Sequence, residues 1–259
     1  MLKKVKALVK DNTPVAHDIF KMTLYCPDAD LRQFVPGQFA HISIPGHEEL
    51  LLGRPFSIST ADAAAKIVTI VIKIIGKGTK ALAHCRKGAE LSAILPVGRG
   101  FLLQDRDKSV FLIGGGVGIA PLLSVIQKWP DKQYEAFLGY RGRAYSYCTD
   151  DFSCCNAVHI ASDDGTIGEH GLVTALLENH LKSNTPDLIL SCGPTPMLCA
   201  LKKLIEPLAI PCQVSVEERM CCGFGACAVC VCGVKTEQGL DYKKVCVEGP
   251  VFDLFKVVL

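Results

Sequence analysis

Positive charge is not in surplus in this sequence. Twenty-eight Lys and Arg stand against twenty-six Asp and Glu, a formal balance of +2, which leaves little to neutralise a phosphate backbone and argues against a nucleic-acid partner. An unbroken apolar run of membrane-spanning length is also missing. The longest uncharged candidate, residues 109–127, is interrupted by Gly114, Gly115, Gly116, Gly118 and Pro121, so it reads as strand, turn and helix and implies no membrane partner. The opening stretch MLKKVKALVKDNTP has charges distributed through it and no apolar h-region; a cytoplasmic location is expected. Internal repeats and low-complexity linkers are absent too, which excludes solenoids and flexible tethers.

What is present is an ordinary globular balance, 49% hydrophobic and 21% charged over 259 residues, which excludes disorder, collagen-like repeats and coiled coils. At about 150 residues per domain this length suits two domains with a smaller appendage. Fourteen cysteines are unevenly spread: Cys221, Cys222, Cys227, Cys230 and Cys232 fall close together, and Cys246 follows. Without an export signal such cysteines are read as buried, metal-binding or catalytic rather than paired.

Three regions follow one another. Residues 1–103 carry short β-type runs (5–9, 19–26, 39–44, 56–59, 67–75 and 91–95) separated by Pro and Gly, with one helix at 79–85; this predicts an antiparallel barrel or sandwich. Residues 104–211 alternate strands (110–113, 134–139, 157–161, 188–192) with helices (121–129, 173–181, 196–204), the pattern of a parallel sheet covered on both faces. Residues 212–259 open with a strand at 212–217 and hold the cysteine cluster. The fold class is thus β plus α/β with a small C-terminal segment.

Cys222-x4-Cys227-x2-Cys230, then Cys246, has the plant-type spacing of a [2Fe–2S] cluster held by four thiolates. Gly223, Gly225, Ala226 and Ala228 are small, as a loop must be to bring its N–H groups around bridging sulfides. A structural zinc site would show two C-x2-C knuckles, and only one is here. Cys221 and Cys232 are rivals for ligand positions and fit the spacing less well.

Gly114-Gly115-Gly116-Val117-Gly118-Ile119-Ala120-Pro121 lies between an apolar strand and a helix, where glycines let a phosphate approach and the helix start favours its charge. Pro121 stands where the third glycine of the dinucleotide fingerprint would be, so a tight turn without ligand is the plain alternative. Cys192-Gly193-Pro194 ends another apolar strand. Two such turns facing across a crevice make a dinucleotide site. In the β-rich half, Arg54-Pro55-Phe56-Ser57 offers a cation for phosphate and a hydroxyl for an isoalloxazine edge. Val71-Ile72-Lys73 leads on to Gly78-Thr79, whose N–H groups suit a pyrophosphate.

Taken in order, Arg-Pro-Phe-Ser, Gly-Lys-Gly-Thr, Gly-Gly-Gly-Val-Gly-Ile-Ala-Pro and Cys-Gly-Pro resemble the ferredoxin–NADP reductase superfamily. The run from Glu217 to Cys230, with Lys244 to Phe252 after it, resembles the family of electron-transfer subunits of class B dihydroorotate dehydrogenase. The resemblance spans essentially the whole chain. It implies an FAD-binding barrel, a nicotinamide-binding α/β domain and a cluster held by Cys222, Cys227, Cys230 and Cys246. FAD would be held by Arg54, Pro55, Phe56, Ser57, Val71, Ile72, Lys73, Gly78 and Thr79, the Lys73 position often carrying Arg in the family. Glu217 and Cys192 fall where the family brings residues near flavin and nicotinamide, with packing an equal alternative.

A nicotinamide gives up two electrons as hydride and a [2Fe–2S] cluster accepts one, so a flavin must stand between them. The implied route is NADH to FAD to cluster to an FMN-bearing catalytic subunit in pyrimidine synthesis, in a heterotetramer of two catalytic and two electron-transfer subunits. The direction of flow and NADH against NADPH stay open, since Arg141 and Arg143 follow a strand where a 2′-phosphate would be met. Two rival readings remain: a related NADH-dependent ferredoxin:NADP oxidoreductase or sulfhydrogenase subunit with another partner, and a zinc-binding interaction protein.

Overall fold

The computed structural model describes residues 3–46 and 48–259. β1 (Lys4–Ala16), β2 (Ile19–Tyr25), β3 (Phe39–Ser43), β4 (Arg54–Asp62), β5 (Ile67–Lys73) and β6 (Glu90–Val97) close into an antiparallel barrel in the order β1-β2-β5-β4-β3-β6, with helix α1 (Lys77–Ala83) between the last two in sequence. Period-two alternation drives it: Val68, Ile70 and Ile72 of β5 and Leu91, Ala93 and Leu95 of β6 face inward and meet Met22, Leu24, Ile42 and Ile58.

β1 runs well past the predicted 5–9. Bulges near Lys10 and Val15 keep its polar middle paired with β2, so backbone hydrogen bonding rather than apolar pattern extends it. β4 likewise begins at Arg54, not 56, because Pro55 is taken into register opposite His41 of β3.

The second half is a seven-stranded sheet. β7 (Ser109–Gly115), helix α2 (Leu122–Lys128), β8 (Gln133–Tyr140), β9 (Ala157–Ser162), β10 (Glu169–His170), helix α3 (Val173–Leu181), β11 (Leu188–Cys192), helix α4 (Thr195–Ile205) and β12 (Cys212–Ser215) follow in sequence. In space the order is β10-β9-β8-β7-β11-β12, all parallel. β11 is buried along its whole length and β7 in all but its first residue, as expected where helices cover both faces.

The C-terminal segment returns to this sheet. Its hairpin β13 (Val231–Thr236) and β14 (Gly239–Lys244), a helical turn α5 (Val245–Glu248) and strand β15 (Val251–Asp253) were not foreseen. β15 pairs antiparallel with β12, Ser215 opposite Val251 and Gln213 opposite Asp253. The predicted strand 212–217 therefore stops at Ser215, where the chain leaves the sheet. Gly37 sits in the left-handed region at φ +95°, and a Cβ there would lie 2.7 Å from Val251 Cγ2 and 3.0 Å from Phe101 Cδ2; only glycine admits the C-terminal strand so close to the barrel. Ser59 of the barrel donates a buried hydrogen bond to Ala120 O at 3.0 Å, tying β4 to the glycine-rich turn. Among the described residues, no helix is long and apolar enough to cross a membrane.

Candidate functional site

The cysteine loop follows the exit from β12. Gly223 (φ +74°) and Gly225 (φ +90°) adopt backbone conformations that L side chains rarely take, which turns the loop back on itself. Cys222 Sγ and Cys227 Sγ stand 3.3 Å apart. Burial raises the Cys222 thiol, but N–H groups of Cys227, Phe224 and Ala226 and the Cys227 side chain outweigh it and bring the pKa to about 6. This is a thiolate cradle built from backbone donors. Lys244 Nζ donates to Gly225 O at 2.8 Å and fastens the loop to β14.

Cys230 and Cys246 are both buried, and Val245 N donates to Cys230 O at 2.7 Å. Burial, then the neighbouring Cys230 and Cys222, push the Cys246 thiol up to about 12, against a lowering hydrogen bond from Gly225 N–H. Cys222 with Cys227, and Cys230 with Cys246, form two close sulfur pairs; as thiolates they repel one another, and a shared cationic centre reverses that sign. The donor set therefore fits an iron–sulfur cluster. Cys221 sits beside Cys227 and Cys222 but is raised by desolvation and by both neighbours. Cys232, on β13, is packed into the hydrophobic core.

A cleft of about 340 Å³ opens between barrel and sheet. It brings together Pro55, Phe56 and Ser57 of β4, Val71, Ile72 and Lys73 of β5, Thr79, Gly118, Pro121, Cys192 and Glu217. Arg54 lies over Gly78, because a Cβ on Gly78 would run into its guanidinium; its Nη1 also donates to Leu52 O at 2.7 Å. The Thr79 hydroxyl is consumed locally, accepting from Ile75 N (2.9 Å) and Gly76 N (3.1 Å). What this turn offers an anion is thus backbone N–H, since the first helical bond, Lys80 N to Gly76 O at 2.9 Å, leaves the preceding donors free of helical acceptors. Neither Arg54 nor Gly78 lines the cleft, though each adjoins a residue that does, Pro55 and Thr79; an apolar floor flanked by an arginine and N–H groups suits a flavin bearing a pyrophosphate.

A second cleft of about 550 Å³ lies at the carboxyl ends of β7 and β8, lined by Gly115, Gly116, Gly139, Arg141, Pro194 and Met197 among others. Gly114 and Gly193 line neither cleft and serve close packing: a Cβ on Gly114 would press on Ile119, and one on Gly193 on Met197. Gly118 permits the two turns to meet, since its Cβ would strike the Cys192 backbone. Arg141 reaches the second cleft and lies over the Tyr145 ring at 5.5 Å, whereas Arg143 is held by Thr166 through N to Oγ1 (2.8 Å) and Nε to O (3.2 Å). Lys73 lines both clefts.

Cys192 and Glu217 are neighbours in the first cleft. Burial raises the Cys192 thiol to about 12, the Glu217 charge adding to it and Ser215 opposing it; burial alone raises Glu217. Sequence reasoning missed Glu218 and Met220 on this cleft and Tyr140, Leu172 and Thr174 on the second. Tyr140 ends a strand, Leu172 and Thr174 begin α3, and Glu218 and Met220 fall in the run that leads to the cysteines, where no side-chain pattern singles them out.

A closed antiparallel barrel joined to a parallel sheet, with one cleft at their junction and one at the strand ends, defines a flavin-dependent reductase of the ferredoxin–NADP reductase type. Residues 217–258 match the family model for the iron-sulfur cluster binding domain of dihydroorotate dehydrogenase B. The chain is 38% identical, over 99% of both sequences, to the dihydroorotate dehydrogenase B (NAD(+)) electron transfer subunit of Shouchella clausii. It is 36% identical, over 96% of each, to that of Caldanaerobacter subterraneus. Its backbone superposes with TM-score 0.86 on a chain of the NADH-dependent reduced ferredoxin-NADP oxidoreductase, 26% identical, covering 97% of this chain and 89% of that one. The chain belongs to the family of dihydroorotate dehydrogenase B electron transfer subunits. The resemblance drawn from its motifs holds, and membership sets aside the zinc-binding interaction protein.

Proposed function

We propose that this subunit carries electrons between a nicotinamide dinucleotide in the second cleft and the dihydroorotate dehydrogenase catalytic subunit, through FAD in the first cleft and a [2Fe–2S] cluster on Cys222, Cys227, Cys230 and Cys246. One observation carries the reading. The junction cleft shares Lys73 with the dinucleotide cleft on one side, and on the other is walled by Glu217, Glu218 and Met220, which run directly into the cysteine loop. When bound, FAD supplies the conversion of a two-electron hydride into single electrons that an iron–sulfur cluster can take.

The chain's own residues do the rest. Arg54 and the N–H groups of Gly78 and Thr79 would take the pyrophosphate, and Pro55, Phe56, Ser57, Val71 and Ile72 would seat the ring. Gly115, Gly116 and Pro194 would form the nicotinamide side, with Gly114 and Gly193 packed behind them and Gly118, Pro121 and Cys192 turned towards the flavin cleft. Cys192 and Glu217 would border the place of hydride transfer. The proposal divides the chain into FAD (1–103), NAD (104–211) and cluster (212–259) units, the last lending β12 and β15 to the sheet. It extends to an FMN-bearing partner in a two-plus-two assembly. Fourteen cysteines without a disulfide suit a reducing compartment, so the cytoplasm is included.

The test is an anaerobic visible spectrum of the purified chain with iron and sulfide analysis, followed by addition of NADH and, separately, NADPH. Flavin and cluster bands that bleach with NADH, faster than with NADPH, are expected; a loaded protein that stays unbleached overturns the reading.

Glu217 gives a pH signature. Its folded-state pKa stands above the ordinary 4.5 because of burial, so the folded protein holds the proton longer than the unfolded chain. Its contribution is fully present below 4.5 and lost as pH rises through the raised value. Thermal midpoints should fall with rising pH across that window, and Glu217→Gln should flatten this part of the profile; identical profiles would show that the group does not titrate in the cleft.

A further inference from the structure

The other end of the parallel sheet carries a second set of ligating side chains. Glu135 of β8 and His159 of β9 point to the same face of the sheet, since His159 is in register with Phe137, two residues on from Glu135. His180, in the last turn of α3, closes on them from the helix that covers this face. Glu135 precedes Gly139 of the dinucleotide cleft by four residues, so at about 3.3 Å per residue the cluster lies roughly 13 Å from that cleft.

His159 Nε2 is 3.0 Å and His180 Nε2 2.9 Å from one and the same oxygen, Glu135 Oε2, and the three ligand atoms lie within 4.8 Å of one another. Only His159 is aligned to hydrogen-bond that oxygen. His180 Nε2 is buried and has no hydrogen-bond partner despite its proximity. A nitrogen held in that position is costly unless something else takes its lone pair. The rings are held in place: His159 stacks on Phe137 at 4.5 Å and 20°, His180 stands edge-on to Phe137 at 5.2 Å, and Phe111 lies 5.5 Å from His180.

We propose that Glu135, His159 and His180 bind a divalent first-row transition-metal cation, with zinc the best match to the donors, that fastens the C-terminal turn of α3 to β8 and β9. Two imidazoles and a carboxylate suit zinc and its neighbours, whereas magnesium and calcium take all-oxygen sites. Tetrahedral bonds of about 2.0–2.2 Å place ligands about 3.3–3.5 Å apart, a few tenths of an ångström from the separations found to Glu135. A cation also complements the negative end of the α3 dipole. The side chains keep 21–26% exposure, which leaves solvent access for a water as fourth ligand. Val173 and Thr174, in the first turn of α3, wall the dinucleotide cleft, so the metal would steady that wall from its far end.

The test uses the FAD- and cluster-loaded protein, so that the cluster cysteines are occupied. Calorimetric titration with Zn²⁺ alone is expected to show one equivalent bound, weakened about 100-fold or more in His180→Asn and in Glu135→Gln. Zinc-edge anomalous scattering from soaked crystals of the unaltered protein should place a peak at bonding distance from all three atoms. That second measurement decides the matter if a variant fails to fold. A peak only at a thiol such as the exposed Cys154, or titrations in which His180→Asn matches the unaltered protein, would overturn the proposal.

Discussion

Cys222→Ala is expected to abolish the iron–sulfur cluster while leaving the flavin chemistry in place. Cys222 is the sulfur on which three backbone N–H groups converge, in a loop whose turns Gly223 and Gly225 set. Losing an outer-sphere partner alone costs about 10- to 100-fold in metal-site affinity or activity, so losing a ligand should lower electron delivery to the catalytic subunit by about 100-fold or more. Iron and acid-labile sulfide should fall together, yet NADH should still bleach the FAD band. Cys221→Ala is the matched control, because Cys221 falls outside the C-x4-C-x2-C spacing; it should retain a full cluster. Loss of iron in Cys221→Ala with retention in Cys222→Ala would reverse the ligand assignment.

Arg54→Ala should weaken FAD binding by about 10- to 100-fold, the effect of losing a charge-assisted hydrogen bond of about 1.5–3 kcal/mol. Arg54→Lys should restore only part, because an ammonium lacks the guanidinium's paired donors. Gly78→Ala should mimic the loss without touching the arginine itself, since the added methyl would displace the guanidinium. Flavin fluorescence during titration of the deflavinated protein reads all three. Affinity unchanged from that of the unaltered protein in all three variants would remove Arg54 from the phosphate site.

Legibility in the sequence followed how local each signal was. The Cys222-x4-Cys227-x2-Cys230 spacing is confined to one loop, so candidate ligands could be named from sequence; the structure brings Cys222 and Cys227 into sulfur contact, and Cys246 follows only after the β13–β14 hairpin. The barrel strands were visible where one face is buried, as in β6, and invisible where pairing alone sustains them, as in the polar stretch of β1. The hairpin of β13 and β14 escaped notice because β14 is exposed at most positions and has no apolar alternation. Gly78 and Arg54 were both named, but their contact across the chain could not be read from either segment. Glu135, His159 and His180 show the limit more sharply: each alone is unremarkable in its own segment, and only strand register and helix packing assemble them.

The antiparallel union of β12 with β15 has a kinetic corollary. Both ends of the cysteine excursion are stitched into the same sheet, at Ser215 and at Val251, so the metal-bearing loop is moored twice and has no slack in which to commute between donor and acceptor. Transit through this subunit should accordingly be insensitive to solvent viscosity, and any slow, diffusive step must belong to the arrival and departure of nucleotide or to the handshake with the partner.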